Sequence, residues 1–161
     1  MKMIVAIYDS PLGQLRLCSD GDFLTAVTFV GQKYENKHIP KDATFGSCPA
    51  LERAKSWLSA YFEGNIPNAF PPIKPNGTPF QMAVWKTLLQ IPYGETVTYA
   101  ELAKQLGCKS AQAIGGAVGR NPISIFIPCH RVVGADGKLT GYAGGVEKKE
   151  ALLKLEKGHL K

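Results

Sequence analysis

The 161-residue chain is 45% hydrophobic and carries a formal net charge of +6 at neutral pH, which suits one ordinary domain or two small ones sharing an interface. It has no run of eighteen apolar residues, and its N-terminal apolar run breaks early with no small-residue cleavage site after it. These features exclude a membrane span and a signal peptide. We therefore expect a cytoplasmic protein with no role at a membrane.

The excess positive charge lies mainly in the second half of the chain. Residues 1–77 hold eight Lys and Arg against seven Asp and Glu, whereas residues 78–161 hold eleven against six. A basic half favours binding to a polyanion, although many proteins that bind no nucleic acid carry an excess of this size. Charge alone therefore suggests nucleic acid only weakly.

The cysteines predict free thiols rather than a metal site or a disulfide framework. They contain no CxxC pair, and none lies at metal-ligand spacing from a histidine. We expect no metal and no cofactor. The four cysteines are Cys18, Cys48, Cys108 and Cys129.

The first sixty residues predict a small sheet with a helix. Short apolar runs at residues 4–8, 15–18 and 24–29 are separated by turn-forming residues, the pattern of a three-stranded antiparallel meander. Residues 31–46 are polar and predict a loop. Apolar residues then recur at helical spacing over residues 48–63, so we expect a helix that covers one face of the sheet.

A proline-rich segment divides the chain. Five prolines lie between residues 64 and 79, and such a run predicts neither a helix nor a strand but a strap between domains. We expect an N-terminal α+β domain at residues 1–75 and a C-terminal domain at residues 76–161.

The second half begins with three predicted helices. Residues 78–81 and 98–101 both match the capping box, with an N-cap threonine and a Gln or Glu three residues later, so each opens a helix. Ser110 can cap a third helix over residues 111–119. Two short helices joined by a tight turn that contains glycine indicate a helix-turn-helix.

The remaining segments predict a strand, a wing and a final helix. The apolar run at residues 123–127 is typical of a buried strand. The turn-forming residues 134–137 lie between Val132-Val133 and Leu139-Thr140 and predict a wing. Residues 147–157 form an amphipathic helical pattern with Leu152 and Leu155 facing inward.

One face of the third helix is rich in glycine. Gly115, Gly116 and Gly119 lie on it, and each glycine costs about 1 kcal/mol of helix propensity relative to alanine. Either this face packs closely on a neighbouring helix, or another backbone such as a DNA strand approaches it. The sequence leaves both interpretations open.

Cys129 is the candidate nucleophile because His130 follows it. A lone cysteine near a histidine is usually a small buried hydrophobe, but a base or a positive charge nearby converts it to a reactive thiolate. Adjacent residues of an extended segment point to opposite sides. Coupling between the two side chains therefore requires a turn or an intervening water.

A motif around Cys129 gives the sequence a family resemblance. Residues 127–132 read Ile-Pro-Cys-His-Arg-Val, with Asn121 and Pro122 upstream and residues 141–145, Gly-Tyr-Ala-Gly-Gly, downstream. This pattern resembles the O6-alkylguanine-DNA alkyltransferases, in which it surrounds an alkyl-accepting cysteine.

The resemblance covers essentially the whole chain. It runs from about residue 80 to residue 158, and residues 10–13 match an N-terminal strand turn of the family. It implies an α+β fold: a small N-terminal antiparallel sheet with a helix, ribonuclease-H-like, followed by a C-terminal winged helix-turn-helix domain.

The resemblance implies direct reversal of DNA damage. An alkyl group would pass from O6-alkylguanine in double-stranded DNA to Cys129 once per molecule, and O4-alkylthymine is a second possible substrate. A network of Glu156, His130, a water and Cys129 would hold the sulfur as a thiolate. Asn121 would organise the turn that carries Cys129. Tyr99 would displace the target phosphate and donate a hydrogen bond to the leaving guanine.

The resemblance also implies residues that bind the substrate and the DNA. Tyr142, Ala143 and Val132 would surround the guanine, which must be flipped out of the helix because its alkyl carbon is inaccessible in a stacked duplex. We expect the protein to act as a monomer. The implied DNA-binding residues are Gln112, Gly116, Arg120, Ala100 and Ala135.

One residue departs from the family pattern. Gln112 stands where the family usually has an arginine that fills the space left by the flipped base. A cluster of basic residues nearby, with only Asp136 opposing it, predicts phosphate contacts, although not every member need touch a phosphate. The cluster is Lys104, Lys109, Arg120, Arg131 and Lys138.

Three other functions are weighed against this one. A damage sensor of the alkyltransferase-like kind would lack the acceptor cysteine, which this chain has. A transcription factor with a plain helix-turn-helix would explain neither the glycine-rich helix nor the Pro-Cys-His motif. A thiol hydrolase would need an oxyanion hole and an acyl groove, for which the sequence offers no obvious residues.

Overall fold

The N-terminal half is built on a four-stranded sheet. The computed structural model describes residues 2–33, 35–67 and 69–158. Strands β1 (Ile4–Ser10), β2 (Gly13–Ser19) and β3 (Leu24–Phe29) form the expected antiparallel meander. A short strand β4 (Thr44–Phe45) pairs in parallel with β1, which gives the order β3-β2-β1-β4.

The segment at residues 31–46 is not the loop that its polarity predicts. It contains helix α1 (Glu35–His38) as well as β4. Glu35 explains the order, because its carboxylate accepts hydrogen bonds from Arg16 Nη1 at 2.9 Å, Thr28 Oγ1 at 3.0 Å and the Gly31 amide at 2.9 Å. A polar segment can thus be fixed by one buried carboxylate, which hydrophobic periodicity does not reveal.

The predicted helix over the sheet is confirmed as α2 (Pro49–Phe62). Pro49 occupies its first turn, where the missing amide proton costs nothing. Its apolar face packs on β1, β2 and β3, with Leu51, Ala54, Leu58 and Tyr61 fully buried.

The proline-rich strap runs beside the sheet. In its described part, residues 64–67 and 69–78, it forms no helix and makes a single bridge to the edge strand β3. The Leu24 amide donates to Pro72 O at 2.8 Å, and the Lys74 amide donates to Leu24 O at 2.8 Å. The strap therefore covers part of an exposed sheet edge.

The three helices predicted for the second half are confirmed. They are α3 (Pro79–Leu88), α4 (Tyr99–Gln105) and α5 (Ala111–Gly119). Thr78 and Thr98 both form complete capping boxes, and the Ser110 hydroxyl accepts from the Ala113 amide. Helix α5 packs against α3 and α4, as in a helix-turn-helix.

The strand predicted at residues 123–127 is instead a tight turn. The Ile127 amide donates to Ile123 O at 2.9 Å, and Ile125 adopts a left-handed φ of 73°. Asn121 replaces the missing ladder partners, because its side chain binds both the Ile123 amide and Ile127 O. A short run of buried apolar residues is the same sequence pattern in a strand and in such a turn, so the pattern does not distinguish them.

The wing also differs in form from its prediction. Strand β6 (Val132–Val133) pairs in parallel with β5 (Val97–Thr98), and residues 139–140 are not a strand. Residues 135–137 form a 3₁₀ turn, closed by the Gly134 amide donating to Lys138 O at 2.8 Å. The final helix α6 (Val146–Glu156) follows as expected.

The two halves share one hydrophobic core. Trp57 of α2 packs on Phe126 with ring centroids 4.4 Å apart. Val27 of β3 exchanges backbone hydrogen bonds with Pro122 O and the Ser124 amide, each at 2.9 Å. The N-terminal half thus packs on, and hydrogen-bonds to, the turn that leads to Cys129. Among the described residues, no helix is long and apolar enough to cross a membrane.

Close packing at the end of the strap gives a stability prediction. A Cβ added at Gly77 would lie 2.5 Å from the buried Trp85 indole and 2.7 Å from Gln81 Oε1. We expect Gly77→Ala to lower the free energy of unfolding by about 1–3 kcal/mol, the usual cost of overpacking. Urea denaturation measures the change. Gly115→Ala, where the added carbon meets no atom within 4 Å, is the control and should not be destabilised. Equal stability of both variants would contradict the packing argument.

Candidate active site

A cavity of about 640 Å³ opens between α5, the start of α4 and residues 140–143. Its wall is largely apolar, and the glycine-bearing face of α5 forms one side of it. Lys33 reaches it from the N-terminal half. The residues selected from the sequence that line it are Tyr99, Gln112, Gly116, Arg120, Cys129, Tyr142 and Ala143.

The other selected residues lie outside this lining. His130, Glu156 and Asn121 are buried near Cys129. Val132 is also buried, in β6, and its amide donates to Cys129 O. Ala100 and Ala135 are exposed, on α4 and on the 3₁₀ turn after β6. No group of three or more metal-binding side chains occurs in the described ranges.

Cys129 and His130 are both buried and lie in one tight turn. Residues 129–131 form a 3₁₀ turn rather than an extended segment, closed by the Arg131 amide donating to Pro128 O at 3.0 Å. The sequence required either a turn or an intervening water for coupling between Cys129 and His130. The structure has the turn. Asn121 fixes the preceding segment by donating from Nδ2 to Ile127 O at 2.7 Å.

Glu156 is the centre of a buried hydrogen-bond network. Its side chain is fully enclosed, and five donors converge on its two oxygens. Although burial raises its pKa, the hydrogen bonds from His130 and Arg131 and the positive charge of Arg131 hold that pKa well below its ordinary value. The donors are His130 Nε2 at 2.6 Å, Tyr61 OH at 2.6 Å, Arg131 Nε at 2.8 Å, Arg131 Nη2 at 3.0 Å and the Gly94 amide at 3.1 Å.

The ionised carboxylate sets the tautomer of His130. Since Glu156 can only accept, Nε2 carries the proton and Nδ1 presents a lone pair. Nδ1 is buried and has no hydrogen-bond partner in the described part of the chain. Burial lowers the pKa of His130, so the ring is neutral at neutral pH. It is therefore a base with a free acceptor atom one residue from Cys129.

The enclosure of Cys129 disfavours the thiolate form of its side chain. The residue is 4% exposed, and burial raises the pKa of its thiol to about 11 against the lowering influence of Asn121 and Lys149. The resting thiolate that the resemblance implies is opposed by this apolar enclosure, which penalises the charged form, and it stays a prediction. Activation requires that the proton leave as the substrate reacts.

Sequence reasoning missed Lys149, a fully buried lysine beside the site. Its Nζ lies 3.5 Å from both Thr140 O and Gly141 O and 5.8 Å from the centroid of the Tyr99 ring. Burial lowers its pKa while the Cys129 sulfur raises it. Lys149 lies three residues before Leu152, so both side chains fall on the inward face of α6. This helical spacing was the sequence signal for its burial.

Two further side chains take part in the buried network. Arg131 belongs to the basic cluster from which phosphate contacts are expected, but it is 8% exposed and its guanidinium binds Glu156 and Ile91 O. Arg131 is therefore a member of the cluster whose anion is internal, a role that the sequence did not indicate. Tyr61 joins the same carboxylate from α2, 95 residues away in sequence, a distance that no local pattern could bridge.

The glycine face of α5 does not pack on a neighbouring helix. Cβ atoms added at Gly115 or Gly119 would meet nothing within 4 Å, and at Gly116 only Arg120 Nη1 lies close, at 3.3 Å. All three glycines border the cavity. The close-packing interpretation is therefore wrong, and the interpretation that another backbone approaches this face is retained.

The fold and the site define a two-part α+β protein whose helix-turn-helix half carries a buried Cys-His-Glu constellation. Family models match both parts: the 6-O-methylguanine DNA methyltransferase ribonuclease-like domain at residues 3–74 and the DNA binding domain of the same family at residues 79–158. The chain belongs to the 6-O-methylguanine DNA methyltransferase family.

Individual relatives are similar over nearly the whole chain. A methylated-DNA–protein-cysteine methyltransferase of Methanosarcina acetivorans is 46% identical over 155 residues, covering 96% of this chain and 98% of that protein. The crystal structure of Mycobacterium tuberculosis O6-methylguanine methyltransferase matches with a TM-score of 0.87 at 44% identity, covering 99% and 95% of the two chains. A structure of M. tuberculosis OGT in complex with DNA matches with a TM-score of 0.87 at 43% identity, with the same coverage.

The open glycine face predicts a variant that is more stable yet binds DNA less well. Gly115→Ala should raise the free energy of unfolding by up to about 1 kcal/mol through helix propensity. If a DNA backbone approaches this face, the added methyl should weaken duplex binding by about three- to tenfold, a loss of about 1 kcal/mol. Thermal denaturation and fluorescence anisotropy measure the two effects.

The control for Gly115→Ala is Ser56→Ala on the exposed side of α2. It also raises helix propensity, but it lies far from the cavity lining, so its DNA affinity should not change. Unchanged or tighter DNA binding by Gly115→Ala would contradict the approach of a backbone to α5.

Proposed function

We propose that this protein repairs DNA by direct reversal, transferring the alkyl group of O6-alkylguanine to its own Cys129 once per molecule. One observation carries the proposal: Cys129 borders a cavity of about 640 Å³ and is followed by a buried histidine bound to an ionised glutamate. The family to which the chain belongs supports the same chemistry.

The buried pair supplies general-base catalysis. As the substrate reacts, the Cys129 proton passes to His130 Nδ1, directly or through one water, and Glu156 stabilises the imidazolium that results. The sulfur attacks the alkyl carbon, an S–C bond forms and the O6–C bond breaks. The thioether has no route to hydrolysis in this site, so each molecule acts once.

Two cavity groups suit the departing guanine and the developing charge. The Tyr99 hydroxyl accepts from Thr140 Oγ1 at 3.2 Å, and burial raises its pKa, so it keeps its own proton to donate to the guanine. Lys149 places positive charge near the sulfur as the proton leaves. Tyr142, Ala143 and the Val132 carbonyl would contact the guanine edges.

Duplex DNA is the proposed partner, bound by a monomer along α5. The base must leave the stack to reach Cys129, since the reacting carbon is inaccessible inside a duplex. Gln112, Gly116 and Arg120 would face the emptied position and its flanking phosphates. Ala100 and Ala135 lie on exposed surface, where small side chains let a backbone come near.

We also propose that the chain comprises two domains, residues 1–75 and residues 76–161, which meet at the strap. The C-terminal domain would hold the acceptor and the DNA surface. The N-terminal domain would support the turn at residues 121–128 through the contacts of Trp57 and Val27.

The central test is the stoichiometry and location of the transferred group. Incubation with excess O6-methylguanine duplex should add one methyl mass, on the peptide that contains Cys129. Peptide mass spectrometry measures it. Cys129→Ala should abolish transfer while it still binds DNA, and Cys108→Ala should transfer normally. Repeated turnover, or methylation of another cysteine, is incompatible with the proposal.

Gln112 allows base extrusion to be separated from sulfur chemistry. Gln112 is exposed on α5, one turn before Gly116, and an arginine there would add a planar cation that can stack on bases. We expect Gln112→Arg to tighten duplex binding by about fivefold, or about 1 kcal/mol. Repair of duplex DNA should speed up more than the reaction with free O6-benzylguanine, because the free base needs no flipping.

Arg120 provides the comparison for Gln112→Arg. Its Nη1 donates to Gly116 O at 3.1 Å, so its guanidinium lies over the same face of α5. Arg120→Gln should be made in both backgrounds. Equal acceleration of both substrates by Gln112→Arg would mean that residue 112 acts on the pocket. No effect on duplex repair would refute its assignment to the emptied base position.

A further inference from the structure

Glu156 receives a hydrogen bond from outside its own half of the molecule. Tyr61 on α2 is fully buried, and its hydroxyl donates to Glu156 Oε2 at 2.6 Å. The same oxygen lies 2.6 Å from His130 Nε2. A tyrosine of the sheet domain and the histidine of the active site therefore share one carboxylate oxygen.

We propose that Tyr61 is a positioning residue for alkyl transfer, whose hydroxyl limits how strongly Glu156 attracts His130. The inference rests on the proposed function, in which His130 accepts the Cys129 proton. Tyr61 itself does not line the cavity. It acts through the carboxylate.

Packing alone requires the ring of Tyr61 but not its hydroxyl. The ring stacks on Trp57 with centroids 5.3 Å apart at an angle of 10°, and its neighbours Phe62 and Tyr93 contact it edge-on. Phenylalanine would keep all of these contacts. Burial and the Glu156 charge raise the pKa of Tyr61 well above 10, so the hydroxyl acts as a donor throughout the working pH range.

A donor on Oε2 weakens the base that faces His130. It draws electron density from the oxygen that would otherwise attract the imidazolium more strongly. His130 then stays neutral to lower pH and keeps Nδ1 ready to accept a proton. The remaining charged and titratable groups around it are unchanged by loss of the tyrosine hydroxyl.

Those groups come from every element packed on the pair. Glu156 raises the pKa of His130, while Arg131 and Lys149 lower it. Cys129 precedes it in the turn, and Tyr93 lies against Arg131 with 5.7 Å between the guanidinium carbon and the ring centroid. Tyr61 is the neutral donor that competes directly for the oxygen nearest to His130.

The test is the pH dependence of single-turnover transfer to Cys129 from free O6-benzylguanine and from methylated duplex. Tyr61→Phe leaves more negative charge on Oε2, which raises the pKa of His130. As the pH is lowered, His130 therefore becomes protonated at a higher pH in the variant than in wild type. The acid limb of the rate profile should move up by about 0.5–1 in pH, a three- to tenfold slower reaction on that limb.

Two variants make the result specific. Tyr8→Phe also removes a tyrosine hydroxyl bound to α2, through Ser59 Oγ at 3.0 Å, but it lies outside the network and should leave the limb in place. Site-specific 3-fluorotyrosine at position 61 is a stronger donor and should move the limb to lower pH. It decides the question if Tyr61→Phe does not fold.

Titration of the His130 ring by ¹⁵N NMR reports the same pKa without any transfer. The role of Tyr61 would be overturned if the acid limb lay at the same pH in wild type, Tyr61→Phe and the fluorotyrosine protein, and if the His130 titration did not shift among them either. Absence of transfer to Cys129 in the wild-type protein would instead overturn the proposed function, and the NMR shift would still test the Tyr61–Glu156–His130 coupling.

Discussion

The buried carboxylate of Glu156 is the interaction on which the site depends. An isolated ionised carboxylate would be very costly inside the protein, yet five donors from four residues meet it. Removing it would leave the Arg131 guanidinium buried without its anion, a defect that typically costs 3–5 kcal/mol. The group that orients the histidine therefore also holds the core of the C-terminal half together.

The same network explains why the cysteine can be both enclosed and reactive. An apolar enclosure favours the protonated form of Cys129, and a thiol is less reactive than a thiolate. The base is equally buried and neutral, with its acceptor atom unoccupied by any described protein group. Neither partner is charged until the proton moves, so the charge pair forms only when a substrate can use it. In a protein that acts once, a resting thiol of low reactivity is less easily consumed by side reactions before a substrate binds.

Local patterns predicted most of the fold, and they selected Cys129 as the candidate nucleophile. Capping boxes at Thr78 and Thr98 gave the helix starts because caps are encoded within four residues. The turn at residues 123–127 was misread as a strand because Asn121 supplies the hydrogen bonds that a ladder would otherwise make. The partners of Glu156 were beyond local reasoning, since Tyr61 and Arg131 come to it across 95 and 25 residues.

The two halves of the molecule contribute different groups to the region around Cys129, His130 and Glu156. The C-terminal half provides the cysteine, the histidine and the carboxylate, but not the surface that fixes them. Trp57 packs on Phe126, the Val27 strand edge binds Pro122 and Ser124, and Tyr61 reaches Glu156. Each contact comes from the sheet or its covering helix and falls within a few residues of the reacting groups. A change that loosened the N-terminal half would thus reach the acceptor through packing and hydrogen bonding, without any change in the residues that line the cavity.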